Sequence, residues 1–251
     1  TALSLDNASV AENQAGATVG TLGASDPDGD GLTFTLRDDA GGRFTLDGAT
    51  LRLAAATSLD HETAASHTVT VRASDTSANT TGLYVERSFT IAVDDANDAP
   101  TVDPVSDQTA TEDDAFSLDL AESFTDVDVG DSLTYTATGL PEGLSLDATT
   151  GRLAGVPGDA AVAASPAAVT VTATDRGGAR VDASFTLSVT NVEDAPRGTD
   201  ATVSLRPGAT LSLNADTFGF SDPDPGDTLG AVTIDTAPAN GTLFVDGVGA
   251  G

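Results

Sequence analysis

The chain has 251 residues, 39 of them acidic against 10 basic, for a formal charge of −29, which is far too anionic to favour nucleic acid or an anionic membrane surface. All the bases are arginine, and there is no cysteine or tryptophan. This excludes disulfide staples, a thiol nucleophile and the lysine of a phosphate-binding loop. With 39% hydrophobic and 4% aromatic residues the chain fills modest sandwich cores, and its natural counter-ions are cations.

Three period-two runs mark half-buried strands in the first hundred residues: 32–36 (Leu-Thr-Phe-Thr-Leu), 68–72 (Thr-Val-Thr-Val-Arg) and 89–93 (Phe-Thr-Ile-Ala-Val). Turn signals at Asp28-Gly29-Asp30-Gly31, Gly41-Gly42 and Asp47-Gly48 separate them. The same pattern returns at 133–137, 169–173 and 185–189, and no segment shows a helical period. Glu12, Asp26, Asp28 and Asp75 recur 100 residues later as Glu112, Asp126, Asp128 and Asp175. Phe124 to Asp131 recurs as Phe220 to Asp227, and Asp98-Ala99-Pro100 as Asp194-Ala195-Pro196. Three repeats follow, 1–98, 99–194 and 195–251. About seven short strands per hundred residues predict an all-β chain of tandem immunoglobulin-like Greek-key sandwiches in an elongated array. In the third repeat strands are expected at 201–205 and 211–213, but the repeat is short: it is either truncated, the reading favoured here, or completed by another chain. No run is apolar enough for a membrane helix and no signal peptide opens the sequence, so the segment is expected to come from something longer.

Asp95-Ala96-Asn97-Asp98-Ala99-Pro100 gathers oxygen ligands between two β-rich segments. It cannot form an apolar strand, and the proline keeps it extended. Ala11-Glu12-Asn13, Asp26-Pro27-Asp28, Leu59-Asp60-His61-Glu62, Ala73-Ser74-Asp75 and Asp95-Ala96-Asn97-Asp98 follow one another in the first repeat. Through these motifs, which stand in the family's order, the repeat resembles a bacterial cadherin domain. The second resembles the dystroglycan-type or putative-Ig cadherin-like module, through 140–147 (Leu-Pro-Glu-Gly-Leu-Ser-Leu-Asp) and 150–157 (Thr-Gly-Arg-Leu-Ala-Gly-Val-Pro). The third resembles a further cadherin-like repeat, through 218–224 and 238–243.

The resemblance implies Ca²⁺ as the cofactor. Glu12, Asp60 and Glu62 are then expected at the bottom of repeat 1, Asp126, Asp128 and Asp175 at the top of repeat 2, and Asp95, Asn97 and Asp98 between them, Asn97 through its carbonyl. Eight carboxylates at one place repel unless cations bridge them. A weaker second site is expected at Glu112, Glu193, Asp194, Asp222 and Asp224. At the 100-residue offset Asp60 and Glu62 fall on Ala160 and Val162, so two carboxylates are lost. Asp26, Asp28 and Asp75 are read as the upper half of a junction with a preceding domain.

Asp26-x-Asp28-x-Asp30-Gly31 opens like an EF-hand, but Arg37 stands at the twelfth position. His61-Glu62 starts a His-Glu-x-x-His zinc motif whose second histidine is Ala65. The chain is therefore expected not to be an enzyme. The leading function is a calcium-rigidified extracellular segment of a secreted or surface-attached bacterial adhesin, acting in cell adhesion or biofilm contacts. Its partners would be neighbouring repeats of the same chain and a cell-surface protein or polysaccharide. The alternative is a calcium-dependent lectin-like module.

Overall fold

The computed structural model describes residues 2–26, 29, 31–75, 83–236, 239–240, 242–245 and 248–250. Its strands in chain order are β1 (Leu3–Leu5), β2 (Ser9–Ala11), β3 (Thr18–Ala24), β4 (Leu32–Asp38), β5 (Phe44–Asp47), β6 (Thr50–Leu53), β7 (Ser66–Asp75), β8 (Tyr84–Asp94) and β9 (Thr101–Val102). There follow β10 (Gln108–Thr111), β11 (Phe116–Asp119), β12 (Phe124–Thr125), β13 (Thr134–Thr138), β14 (Leu144–Leu146), β15 (Arg152–Gly155), β16 (Ala167–Thr174), β17 (Arg180–Thr190), β18 (Leu243–Val245) and β19 (Val248–Ala250). One short α-helix, α1, spans Asp159–Ala163. The chain divides into two compact units, one of Thr1–Val102, Phe124–Thr134 and Ala173–Val181, the other of Asp103–Ser123, Tyr135–Thr172 and Asp182–Gly251.

The first unit holds two four-stranded sheets, β1-β3-β6-β5 and β2-β8-β7-β4. The alternation of β7 and β8 turns Val69, Val71, Ala73, Phe89, Ile91 and Val93 to one face, where they join Leu3, Val19, Leu22, Phe44, Leu51 and Leu53 of the other sheet in one core. Each fully buried Leu or Ile contributes about 1.5–3 kcal/mol by leaving water. The chain crosses between the sheets at Asp6-Asn7: Asp6 Oδ1 accepts the Thr21 amide at 2.6 Å, and Asn7 Nδ2 donates to the Val19 carbonyl at 2.7 Å. Gly20 lies so close to this corner that a Cβ would strike Asn7 and Asp6. The crossing sets β2 parallel to the end of β8, with Val10 opposite Val93, and delivers Glu12 to the sheet's end.

In the second unit β10 lies parallel to β17, with Ala110 opposite Val189, and delivers Glu112 in the same way. The sheets are β10-β17-β16-β13 and β11-β15-β14, and Leu120, Leu153, Val169, Val171 and Leu187 are buried. The expected strands at 201–205 and 211–213 do not form. Instead, Val203, Leu205, Leu211 and Leu213 are exposed. An isolated apolar run gains nothing as a strand until a partner satisfies its backbone and covers one face. Ordered elements in this stretch are a 3-10 turn at Ala215–Phe218, capped by Asn214, the Arg197–Ser221 bridge and the β18-β19 pair. No helix among the described residues is long and apolar enough to cross a membrane.

Candidate metal centre

Glu12 follows the last paired residue of β2, and its own amide still donates to Asp94 at 3.1 Å. Its side chain is 1% exposed. One carboxylate oxygen accepts the His61 amide at 2.6 Å and the other the Ala96 amide at 2.8 Å. A single buried acid therefore ties strand, loop and linker together. The 60–63 turn is closed by Asp60, whose carboxylate accepts the Thr63 amide at 2.9 Å and hydroxyl at 2.8 Å. That turn aims Glu62 at its neighbours.

The linker runs across these acids. Asp98 receives the Asn13 amide group at 2.9 Å, and its backbone amide donates to Asp128 Oδ2 at 2.9 Å. Asn97 engages through its side chain, donating to Asp175 at 3.0 Å and to the Asp98 carbonyl at 2.9 Å. Asp175, 6% exposed, also accepts the Gly178 and Ala179 amides at 2.6 and 2.8 Å. The Asn97 amide occupies the space that a Cβ on Gly177 would need.

Three overlapping groups place ligand oxygens within 4.8 Å of one another: Glu12, Asp60 and Glu62; Glu62, Asp98 and Asp128; and Asp126, Asp128 and Asp131. Glu62 and Asp128 link the groups. Burial pushes the Glu62 carboxyl up, reinforced by the charges of Glu12, Asp95 and Asp128. Burial raises Asp98 too, against the Asn13 hydrogen bond and together with Glu12 and Asp128. The Asn97 hydrogen bond holds Asp175 down. Asp95 is exposed at the end of β8 and stands in a group with His61 and Glu62. Asp131 was not among the expected ligands, although its recurrence as Asp227 was the available signal.

A second cluster lies in the other unit. Glu112, 1% exposed, accepts the Val192 amide at 2.9 Å, as Glu12 does that of Ala96. The Asp194 amide donates to Asp224 at 2.6 Å, and Asp224 to Asp222 at 3.1 Å. Glu193, Asp224 and Asp227 have ligand oxygens within 4.8 Å of one another. The Val192 amide favours ionised Glu112, but burial and the carboxyls of Asp159 and Asp113 outweigh it and raise the group. Burial, then Asp159, Asp113 and Asp224, raise Asp194.

Asp159 is thus an acid that the 100-residue offset missed. The Asn13 amide donates to Leu59 and that of Asp113 to Pro157, while the turn amides of Ala64 and Val162 return to Asp60 and Gly158. These bonds put His61, not Asp60, opposite Asp159, and Glu62 opposite Ala160. Of the acids assigned to a preceding junction, Asp28 lies outside the described residues. Asp26 and Asp75 are half-buried, and among the described residues neither joins a close carboxylate group.

The buried side-chain atoms lacking a hydrogen-bond partner among the described residues are Glu62 Oε2, Glu112 Oε1, Asp126 Oδ2, Asp128 Oδ1 and Asp224 Oδ1. All are carboxylate oxygens of the two clusters. A buried oxygen without a partner is costly, and an anionic one most of all, unless a cation supplies the missing interaction. All-oxygen donors of this density suit Ca²⁺.

Residues 6–94 match the Cadherin domain family and residues 99–190 the family described as Putative Ig domain. Among solved structures, mouse cadherin-23 EC22-24 is 20% identical over 76% of this chain, with a TM-score of 0.52, and this chain spans 64% of its length. Human protocadherin-24 EC1-2 is 21% identical over 76% of this chain and 99% of its own, with a TM-score of 0.54. The protocadherin gammaB4 extracellular domain is 23% identical over 81% of this chain, which spans 35% of that protein, with a TM-score of 0.50. Residues 6–94 are therefore similar to cadherin domains and residues 99–190 to the Putative Ig domain, and the fold is like that of cadherin extracellular repeats.

Proposed function

We propose that this chain is an extracellular spacer and adhesion segment made of repeats at 1–98, 99–194 and 195–251, and that Ca²⁺ held by the two acidic clusters stiffens it. The supporting observation is that, among the described residues, the buried side-chain oxygens without a hydrogen-bond partner all belong to those clusters. In the first, Glu12, Asp60 and Glu62 of the repeat, Asp95, Asn97 and Asp98 of the linker and Asp126, Asp128, Asp131 and Asp175 of the following loops share the ions. Calcium replaces mutual repulsion with shared coordination, which fixes the linker. Glu112, Asp113, Asp159, Glu193, Asp194, Asp222, Asp224 and Asp227 serve the second. Such a segment, secreted or surface-attached in a bacterial adhesin, would carry an adhesive tip or join cells in a biofilm. The lectin alternative has little support. Tyr135, the candidate stacking residue of the second repeat, is buried, and the exposed Tyr84 ring is covered by Arg72 at 3.9 Å.

Calcium binding to the folded state alone raises stability by RT ln(1 + [L]/Kd), about 2.7 kcal/mol at a hundredfold excess over Kd. Thermal melts and small-angle scattering with Ca²⁺ and with EGTA measure this. Unchanged melting temperature and scattering profile on chelation would reject the reading.

A further inference from the structure

We propose that His61, Glu62 and Asp95 form a site for a borderline transition metal such as Zn²⁺, distinct in chemistry from the all-oxygen calcium clusters. One ligand atom from each lies within 4.8 Å of the others. Imidazole nitrogen is a poor partner for Ca²⁺ and a good one for zinc, cobalt or nickel. The ring is already oriented. Its Nδ1 sits 2.7 Å from the Val93 carbonyl, so Nδ1 carries the hydrogen and the Nε2 lone pair remains for a metal, the second-shell arrangement that sets the tautomer of histidine ligands. The His61 amide is anchored separately on Glu12 at 2.6 Å. Glu62 Oε2 is buried and lacks a hydrogen-bond partner among the described residues, while exposed Asp95 leaves the site open to solvent. Three protein ligands leave a fourth position for water. The ion would pin the 60–63 turn to the end of β8. Glu62 and Asp95 also belong to the calcium reading and can serve both ions because a carboxylate bridges through its two oxygens, but the zinc site depends on the imidazole of His61, which the calcium reading does not use.

The test is Zn²⁺ titration of the calcium-loaded chain by calorimetry, in buffer above the histidine range, with long-range ¹H–¹⁵N spectra of both imidazoles. The expected result is metal-shifted Nε2 at His61 with His67 unmoved. His61→Gln should weaken Zn²⁺ binding by about tenfold or more and leave the Ca²⁺-induced rise in melting temperature intact, and His67→Gln should change neither. Equal zinc affinity in His61→Gln, or a response at His67 in place of His61, overturns the proposal in favour of diffuse binding on an acidic surface. Loss of the calcium response in the unaltered chain would instead reject the calcium reading and leave the zinc result standing.

Discussion

Single residues separate a built site from a merely acidic surface. The Asp147 carboxylate accepts the Thr149 and Thr150 amides of its own turn, both at 2.9 Å, and has a local job that needs no ion. Asp128 receives the linker amide on one oxygen, and the other is buried without a hydrogen-bond partner among the described residues. Asp128→Ala or Asp98→Ala is therefore expected to weaken calcium binding at least about tenfold, a loss of about 1.4 kcal/mol, and Asp147→Ala to leave it unchanged by calorimetry. Equal losses in all three would mean that ions condense diffusely. Gly177 provides a steric probe of the linker, because a Cβ there displaces the Asn97 amide from Asp175. Gly177→Ala should cost about 1 kcal/mol, the net worth of one such hydrogen bond, in a denaturant melt.

Among the elements, the short helix α1 is expected to set how well the second cluster competes with the first for calcium. Its first residue, Asp159, presses on Glu112 and Asp194, so it should repel in the absence of calcium and bind in its presence. Asp159→Asn is expected to stabilise the calcium-free chain while lowering calcium affinity at Glu112, and a variant that moves both in the same direction would count against its role as ligand. Even with Asp159, the first site has three interlocked groups against one for the second among the described residues, so the first should fill at lower calcium. Strand β7 offers a pH test remote from any ligand. Burial of His67, with the charge of Arg43 beside it, lowers its pKa from the ordinary 6.5. The unfolded chain then takes up a proton near pH 6.5 that the folded one refuses, so this contribution is complete above 6.5 and is lost as pH falls through the lower folded value. An NMR titration placing His67 at or above 6.5 would contradict it.

For the whole molecule, a charge of −29 means that calcium-free protein works against its own field, and screening should relieve part of it. In EGTA the melting temperature is expected to rise with NaCl, as the Debye length contracts from about 30 Å at 0.01 M to about 3 Å at 1 M; a salt-independent melt would show that the repulsion is not limiting. Much of this molecule was legible from its residue order. Period-two runs predicted β4, β7 and β8 because a half-buried strand needs only its own alternation, and the spaced recurrence of Glu12, Asp126 and Asp128 picked out acids that fall in the close carboxylate groups. The tertiary structure decided what depends on neighbours distant in sequence. A fixed 100-residue offset could not see that the chain from Glu112 to Pro157 is two residues shorter than that from Glu12 to Leu59, so Asp159 was missed. Nor could alternation at 203–213 reveal that those residues find no strand to pair with. The burial of Glu12, the side-chain reach of Asn97 and the stranded oxygens of Glu62 and Asp224 were likewise hidden, because burial and hydrogen bonding are set by what the rest of the chain brings alongside.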